Sequence, residues 1–351
     1  MKPPLALLLF LNVLFLWQNC LVAEVKRYKA DVCVYGGTAS GVMAAVAAHK
    51  EGSKVILVEP TRSLGGMTGG GINHLDWGKG ETVGGSTYKI LMEGLKDQKR
   101  AHGGHAKHGI GNKQYRERFK KLVKDRGITV IYEHRVGKVQ VGDETFDKPT
   151  RQQPIAIGEK IASKNKNNSI QSIILDYAPV DETGCPIPEP KKRNVIMVSA
   201  KVFIDCSYEG DLLAMSGVRY TWGRESREHY DESLAGVRPS LWIHDIDPYV
   251  EPGNAESGLV PFVQDRKIGP LGSADSLTMG YCFRHEFDMS GKGIPIPEPT
   301  NYDPAEFEVY RRAIRDGVDI FSNRHMRTTL NKFTVHKKAP FVGGAQSNRN
   351  L

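Results

Sequence analysis

A glycine turn between two apolar segments is the feature that most constrains the fold of this chain. Residues 32–35 (Val-Cys-Val-Tyr) are a short apolar run, as in a buried parallel strand, and the glycine-rich residues 36–41 (Gly-Gly-Thr-Ala-Ser-Gly) follow directly. Residues 42–49 carry the alanine-rich apolar stripe of a helix. Residues 55–58 (Val-Ile-Leu-Val) form a second apolar run, which Glu59 closes. This order predicts a βαβ unit.

The same turn is suited to a dinucleotide. Gly36 permits a tight exit from the strand, and Gly41 lets the following helix pack closely on the sheet. The helix N-terminus presents unpaired N–H groups to a pyrophosphate, and an acidic residue at the position of Glu59 accepts hydrogen bonds from ribose hydroxyls. Thr38 replaces the middle glycine of the usual motif; it adds bulk where the pyrophosphate approaches, and its hydroxyl is a candidate donor to a phosphate. The alternative is an ordinary βαβ unit with a glycine turn.

A second glycine-rich segment indicates which of two cofactor types, a flavin or a nicotinamide dinucleotide, the chain binds. Residues 60–71 read Pro-Thr-Arg-Ser-Leu-Gly-Gly-Met-Thr-Gly-Gly-Gly, and their five glycines make a loop whose backbone can lie flat against a long cofactor. A nicotinamide enzyme does not need such a loop after the second strand, whereas an FAD enzyme does. The segment therefore favours FAD.

These motifs resemble those of the FAD-dependent oxidoreductases of the glutathione-reductase-like superfamily. More narrowly, residues 35–41, 59–60 and 64–70 are similar to a secreted bacterial FAD-dependent oxidoreductase group that begins with a Tyr-Gly-Gly-Thr-x-x-Gly turn. Threonine in place of the middle glycine is usual in that group, whose relatives are sometimes labelled putative xanthan lyase. The resemblance implies a Rossmann-like FAD-binding fold with a parallel sheet and FAD as the cofactor.

Further segments extend the prediction along the chain. Residues 115–125 form a basic amphipathic helix that ends at Gly127, and residues 128–132 form a strand. Residues 142–168 are polar and are interpreted as a loop. Residues 170–175 and 194–204 are predicted to pair as a hairpin around a long turn that contains prolines.

Residues 200–211 resemble the element at which the chain of such flavoproteins returns to the FAD, with Cys206 and Ser207 in place of the usual alanine and threonine. The resemblance also implies that the backbone at Val136 contacts the adenine. It places the cofactor at the following residues: Gly36, Gly37, Thr38, Ala39, Ser40, Gly41, Glu59, Pro60, Gly65, Gly66, Met67, Thr68, Gly69, Val136, Asp205, Gly210 and Asp211.

Catalytic candidates are fewer, because the flavin itself takes the hydride and the protein supplies a base. His74 follows the glycine loop and is a candidate for this role; a loop hydrogen bond or covalent attachment of FAD to a histidine are the alternatives. Arg284 ends an apolar segment in the presumed substrate region, which also holds Arg224 and Tyr230. It is a candidate to pair with a substrate carboxylate, and a structural ion pair is its alternative.

The N-terminus has the pattern of an export signal. Lys2 is the charged start, residues 5–17 are an apolar core, and Ala23 precedes a cleavage point. The core is too short for a comfortable membrane span, so we expect no stable membrane insertion after cleavage. An uncleaved anchor and a lipoprotein at Cys20 are the alternatives.

The charge distribution and the cysteine spacing limit the classes of partner and of metal or disulfide site that the sequence predicts. The net charge of +8 is spread along the chain, with no basic motif interleaved with aromatic residues, so we predict no nucleic-acid partner. The resemblance implies a small-molecule or carbohydrate substrate. No Cys-x-x-Cys spacing occurs, and the histidines of residues 102–108 lack nearby carboxylates, so no metal site is predicted. A disulfide between Cys185 and Cys282 stays open for an exported protein.

The whole sequence predicts an α/β protein with two domains after a signal peptide at residues 1–23. Residues 30–217 form the Rossmann-like FAD-binding domain with an inserted hairpin, and residues 218–351 form a mixed α+β substrate domain. No Gly-Asp pair follows Gly236, although the superfamily closes its site with a strand that ends in one, so we expect the C-terminal part to be missing. The predicted function is an exported FAD-dependent oxidoreductase; a polysaccharide lyase and a non-catalytic flavin-binding protein are the alternatives.

Overall fold

The structure is a computed structural model. It describes residues 25–69, 85–86, 90, 112–147, 169–182, 184–218, 220–238, 246–263, 269–277, 284–288, 298, 302–317, 326–329 and 332–336. The described residues up to Tyr220 form one compact unit, and those from Thr221 onward form a second.

The first unit contains nine described strands and several helices. The strands are β1 (Lys26–Lys29), β2 (Val32–Tyr35), β3 (Val55–Glu59), β4 (Thr129–Tyr132), β5 (His134–Val141), β6 (Glu144–Phe146), β7 (Ile170–Tyr177), β8 (Lys192–Ser199) and β9 (Val202–Asp205). The helices are α1 (Ala39–Lys50), α2 (Gly66–Gly69), α3 (Asn112–Lys124) and α4 (Asp211–Met215).

A four-stranded parallel sheet is the centre of this unit. Its strand order is β4-β3-β2-β9, and each neighbouring pair is parallel, with Val34 opposite Leu57 on one side and Ile204 on the other. Every residue of β2 and β3 is buried, as expected for a parallel strand covered on both faces. The predicted α/β fold with a parallel sheet is therefore confirmed.

A second sheet of five strands, in the order β1-β8-β7-β5-β6, makes the unit three-layered. Successive residues of β2 point to opposite faces, so Cys33 and Tyr35 pack between the two sheets with residues such as Ile173. Val32 and Val34 pack on the other face against the helices. The layers are therefore helices, parallel sheet and five-stranded sheet.

The structure corrects two sequence predictions within this unit. Residues 142–168 were predicted as a loop, but Glu144–Phe146 pairs with β5 in a hairpin whose two-residue turn is Gly142 and Asp143. Gly142 has a positive φ of 56°, which such a turn requires, so the Gly-Asp dipeptide was a signal for it.

The second correction concerns the hairpin of β7 and β8. Those strands do pair antiparallel, but the predicted strand 194–204 divides: β8 ends at Ser199, and β9 joins the parallel sheet. The inserted element is also larger than a hairpin, because β1, β5 and β6 complete its sheet. The division occurs where Lys201 N–H and Val202 N–H both donate to the Asp31 carbonyl, at 3.1 and 3.0 Å. This backbone contact arises from tertiary pairing that the local pattern does not contain.

The second unit has three described strands in one antiparallel sheet, in the order β10-β12-β11. Its elements are α5 (Arg227–Tyr230), β10 (Arg284–Asp288), α6 (Glu308–Arg315), β11 (Met326–Thr329) and β12 (Lys332–His336), with 3₁₀ turns at Ala255–Ser257 and Pro304–Phe307. Within the described ranges of both units, no helix has the length and apolar character needed to cross a membrane.

Candidate dinucleotide site

The turn after β2 is formed by glycines that touch other parts of the protein. Gly36 has a φ of +92°, and a Cβ there would lie 2.6 Å from the Ser207 nitrogen. A Cβ on Gly41 would lie 1.8 Å from the Gly36 carbonyl oxygen, so α1 approaches the turn as closely as backbone allows. The turn therefore brings the start of α1, the end of β2 and the segment after β9 together at the carboxyl edge of the parallel sheet.

Thr38 has a different role from the one that its sequence position suggests. Its hydroxyl caps α1 by accepting the Gly41 N–H at 3.2 Å, so the helix begins at Ala39 rather than near Val42. The same hydroxyl donates to the Cys206 carbonyl at 2.8 Å. A hydroxyl has one proton, so donation from Thr38 to a phosphate is not available in this structure. The side chain instead ties the turn to β9.

The N-terminus of α1 keeps its capacity for an anion. The N–H groups of Ala39 and Ser40 lie in the first turn, where a helix offers no intrahelical acceptor. The helix has 12 residues, and its dipole places partial positive charge at this end. The arrangement therefore suits a phosphate even without the Thr38 hydroxyl.

Glu59 ends β3 beside this turn and is buried. One carboxylate oxygen accepts the Gly37 N–H at 2.6 Å, and the other accepts the Thr61 N–H at 2.6 Å. Burial raises the pKa of Glu59, and the hydrogen bonds from Thr61 and Gly37 oppose this effect. A carboxylate has about four acceptor positions, so the bonds from Gly37 and from the backbone and side chain of Thr61 leave one position for a hydroxyl donor.

The second glycine segment lies directly beside the first. The Gly65 N–H donates to the Gly37 carbonyl at 2.7 Å, and Thr38 and Gly65 form a parallel bridge. A Cβ on Gly65 would lie 2.4 Å from the Phe119 ring of α3, so glycine is needed here for packing as well as for backbone freedom. Residues 65–69 thus form the second wall of the site.

Residues 205–211 form the third segment. One oxygen of Asp205 accepts the Ser207 N–H at 2.9 Å, and the other accepts the Leu213 N–H of α4 at 2.8 Å. Both oxygens of Asp205 therefore shape this segment from within. The Tyr208 hydroxyl reaches across and accepts the Met67 N–H at 2.9 Å. Gly210 has a φ of +71° where α4 starts, and burial raises the pKa of the next carboxyl group, Asp211.

Val136, predicted to contact the adenine, is buried in β5 near the same edge. Its N–H donates to the Tyr35 hydroxyl at 3.3 Å. Burial of the Tyr35 ring raises the pKa of its hydroxyl well above the ordinary value. The side chain before the glycine turn therefore fixes the backbone at Val136, a role that the sequence reasoning missed.

The structure thus brings three segments of predicted cofactor residues together. Residues 36–41, 65–69 and 205–211 come from distant parts of the chain and meet at the carboxyl ends of β2, β3 and β9. In open α/β sheets, ligands bind in the crevice outside the carboxyl ends of the strands. Pro60 follows β3 at the same edge. Tyr35, Thr61 and Tyr208 are contacts that the motifs alone did not reveal.

The two catalytic candidates stay predictions. His74 lies outside the described residues, and Arg284 begins β10 in the second unit. Arg224 is buried in that unit and forms an ion pair with Asp275, with a 2.9 Å hydrogen bond from its Nε. Its guanidinium group is therefore engaged within the protein.

The residues that the structure describes include free thiols and no cluster of metal-ligating side chains. The histidines of residues 102–108 lie outside the described residues, and in the part of the chain that the structure describes no group of three or more metal-ligating side chains occurs. Cys185 is a free, exposed thiol, and Cys282 lies outside the described residues. Cys33 is also free, and burial raises its pKa to about 12, so it behaves as a core residue.

Comparison with protein families decides the identity of this site. The sequence matches the FAD dependent oxidoreductase family over residues 31–160 and 187–344, which include all three converging segments. The chain belongs to the FAD dependent oxidoreductase family. Family membership gives FAD as the cofactor, and the converging glycine segments, the start of α1 and Glu59 fit such a group.

The solved structures that match this chain are distant from it. They include a geranylgeranyl bacteriochlorophyll reductase-like protein from Thermoplasma acidophilum (16% identity, 55% of this chain and 43% of that chain covered, TM-score 0.31). A bacillithiol disulfide reductase from Bacillus cereus has 14% identity and a TM-score of 0.29. The match covers 51% of this chain and 39% of that chain. A 3-ketosteroid dehydrogenase from Rhodococcus jostii has 14% identity and a TM-score of 0.29. The match covers 53% of this chain and 47% of that chain.

The chain spans less than half the length of each of these three structures. Among curated protein sequences, none matches this chain significantly.

Proposed function

We propose that this chain is an exported FAD-dependent oxidoreductase that passes hydride from a small-molecule or carbohydrate-derived substrate to flavin. The observation that carries the proposal is the meeting of residues 36–41, 65–69 and 205–211 at one edge of a parallel sheet. A glycine turn by itself fits many βαβ units. Three glycine-containing segments on one edge bring backbone groups to the place where open α/β sheets bind their ligands, which suits an extended dinucleotide.

Each segment has a proposed part in holding the cofactor. The first turn of α1 binds the pyrophosphate, and Glu59 accepts a ribose hydroxyl at its remaining acceptor position. Residues 65–69 and 205–211 enclose the rest of the molecule. Because the Val136 N–H is engaged with Tyr35, Val136 is proposed to contact the adenine through its carbonyl or side chain.

FAD supplies the chemistry by accepting a hydride, and the protein positions the substrate and takes up the accompanying proton. We propose residues 218–351 as the substrate domain and residues 30–217 as the FAD domain. His74 is the proposed base and Arg284 the proposed partner of an anionic substrate group. Replacing either residue should lower the rate of flavin reduction while FAD stays bound.

Export is proposed from the charged, apolar and small-residue pattern of residues 1–23. The measurement is cell fractionation of the full-length chain in a bacterial host, with mass determination of the secreted product. A product that starts near Glu24 supports the proposal, and an uncleaved product in the membrane fraction contradicts it. The variant Leu8→Arg, which interrupts the apolar core, is expected to keep the chain inside the cell.

Flavin binding is tested with residues 24–351, purified, reconstituted with FAD and freed from excess cofactor. We expect the visible absorbance of bound flavin, and its absence would overturn the proposal. Anaerobic addition of candidate donors then tests the redox function, because a substrate bleaches the flavin. Flavin that stays oxidised with every donor would favour a binding protein, and unsaturated-sugar absorbance with a polyuronide would favour a lyase.

A further inference from the structure

Tyr208 occupies a position that core packing does not explain. Its side chain is 57% exposed, although it belongs to a segment that contacts the buried end of β2. Exposed tyrosines gain little from the hydrophobic effect, so the contacts of the hydroxyl and of the ring face decide what the residue does.

The ring lies against the backbone of the second glycine segment. A Cβ on Gly66 would lie 2.3 Å from the Tyr208 hydroxyl oxygen and 3.0 Å from two ring carbons. Gly66 also has a φ of +50°, so two independent constraints favour glycine there. Residue 66 is therefore kept free of a side chain at the place where the Tyr208 ring lies.

The segment that carries Tyr208 is held firmly. Asp205 accepts the N–H groups of Ser207 and Leu213, and the Ser207 hydroxyl accepts the Gly210 N–H at 2.9 Å. Hydrogen bonds therefore hold the loop between β9 and α4, residues 206–210, and Tyr208 is its central residue. A side chain held in this way can present its hydroxyl at a fixed place.

The Tyr208 hydroxyl has an unused proton. Its oxygen accepts the Met67 N–H at 2.9 Å, and within the described ranges the proton meets no acceptor. A tyrosine hydroxyl both donates and accepts. This exposed hydroxyl lies against Gly66 and Met67, in the segment whose Gly65 N–H donates to the Gly37 carbonyl of the first glycine turn. An oxygen-rich ligand bound along these two glycine segments would supply the missing acceptor.

We propose that Tyr208 is an FAD-binding residue whose hydroxyl bridges the Met67 N–H to an oxygen of the chain that joins the two ring systems of FAD. This inference rests on the proposed FAD site and adds a contact outside the glycine motifs. The acceptor is a pyrophosphate or a ribityl oxygen, which share the chemistry of a negative or lone-pair-bearing oxygen. The hydrogen bond fixes residues 66–67 against the cofactor when both partners are present.

The test compares Tyr208→Phe with the wild type, because phenylalanine keeps the ring over Gly66 and removes only the hydroxyl. We expect the dissociation constant for FAD, measured by quenching of flavin fluorescence, to rise about tenfold, as the loss of one good hydrogen bond predicts. The melting temperature of the FAD-free protein should change by less than about 2 °C, since the bond to Met67 is exposed. The matched control is Tyr28→Phe, whose ring contacts Lys26 on β1; its FAD affinity should stay within about twofold of the wild type.

Two fragments of the cofactor identify the acceptor. Weaker binding of ADP by Tyr208→Phe supports a pyrophosphate oxygen, and weaker binding of riboflavin with ADP unchanged supports a ribityl oxygen. Unchanged FAD affinity in Tyr208→Phe would overturn the assignment, as would a loss of FAD affinity no larger than in Tyr28→Phe. Wild-type protein that binds no FAD would instead overturn the proposed function. The visible circular dichroism of bound flavin gives a second readout. We expect it to differ between Tyr208→Phe and the wild type, whereas a change in protein stability alone would not alter it.

Discussion

Glu59 is a carboxylate at the end of the second parallel strand, and its two oxygens each accept a backbone N–H. Its type and spacing from the glycine turn were readable from the sequence, whereas its burial was not. Burial raises its pKa, so folding favours the protonated form over the charged one. The sequence motif therefore predicts a ribose-binding acid, and the structure shows that keeping it charged has a cost in the free protein.

This pKa shift has a definite sign for stability. An acid whose pKa is higher in the folded state stabilises the fold fully below its ordinary pKa, and that stability is lost as pH rises through the folded-state pKa. Glu59→Gln removes the titration. We therefore expect the free energy of unfolding of the FAD-free wild type, relative to Glu59→Gln, to fall as pH rises from the acid range toward neutrality.

Urea unfolding of both proteins across that pH range measures the difference. Asp125→Asn is the control, because Asp125 is exposed and forms only a surface pair with Lys121. A difference that stays flat, or that rises with pH, would show that hydrogen bonds rather than burial dominate at Glu59.

In helix α1, packing requires a residue of low helix propensity at one position. Gly41 lies inside the first turn, where alanine would favour the helix by about 1 kcal/mol. A Cβ there would lie 1.8 Å from the Gly36 carbonyl oxygen, far inside contact distance. The close approach of the helix to the turn therefore needs glycine, and packing rather than propensity decides this position.

The prediction for Gly41→Ala is a loss of about 2–3 kcal/mol in the free energy of unfolding, because overpacking outweighs the propensity gain. Chemical denaturation of the FAD-free protein measures it. The control is Ala47→Gly on the exposed face of α1, which should cost about 1 kcal/mol through propensity alone. A stabilised Gly41→Ala protein would show that the helix does not approach the turn this closely.

At the scale of the whole molecule, the second unit is stabilised by an ion pair of its own. Arg224 is buried and pairs with the largely buried Asp275, which also accepts the Leu277 N–H at 3.0 Å. Breaking a buried pair leaves a charge without its partner, which costs about 3 kcal/mol or more. All three glycine-containing segments of the cofactor site belong to the first unit.

We therefore predict that Asp275→Asn lowers the free energy of unfolding of the second unit by about 3 kcal/mol and leaves the dissociation constant for FAD within about twofold. Limited proteolysis with mass analysis reports the second unit, and flavin fluorescence reports the first. Asp316→Asn is the control: Asp316 pairs with Arg315 at 3.6 Å on the surface, and its loss should cost less than about 1 kcal/mol. A large loss of FAD affinity in Asp275→Asn would contradict the prediction that FAD binding depends on the first unit alone.

Local pattern was sufficient for part of this fold. The βαβ unit of β2, α1 and β3, the helix α3 and the pairing of β7 with β8 were all predicted, because each rests on apolar periodicity and glycine turns within a short stretch of chain. Strand β1 was not predicted, since Lys26–Lys29 is polar and becomes a strand by pairing with β8, about 170 residues later.

The sequence by itself determined the kind of cofactor, because glycines at fixed spacing and one acid at a strand end are local requirements of a dinucleotide site. Only the tertiary structure decided how the segments cooperate. The Thr38 hydroxyl donates to the Cys206 carbonyl. The Tyr35 hydroxyl accepts the Val136 N–H, and the Tyr208 hydroxyl accepts the Met67 N–H. The two residues of each pair are at least 101 positions apart in the chain, so no local pattern encodes these bonds. They exist because tertiary packing brings segments that are far apart in the chain together near the carboxyl end of β2.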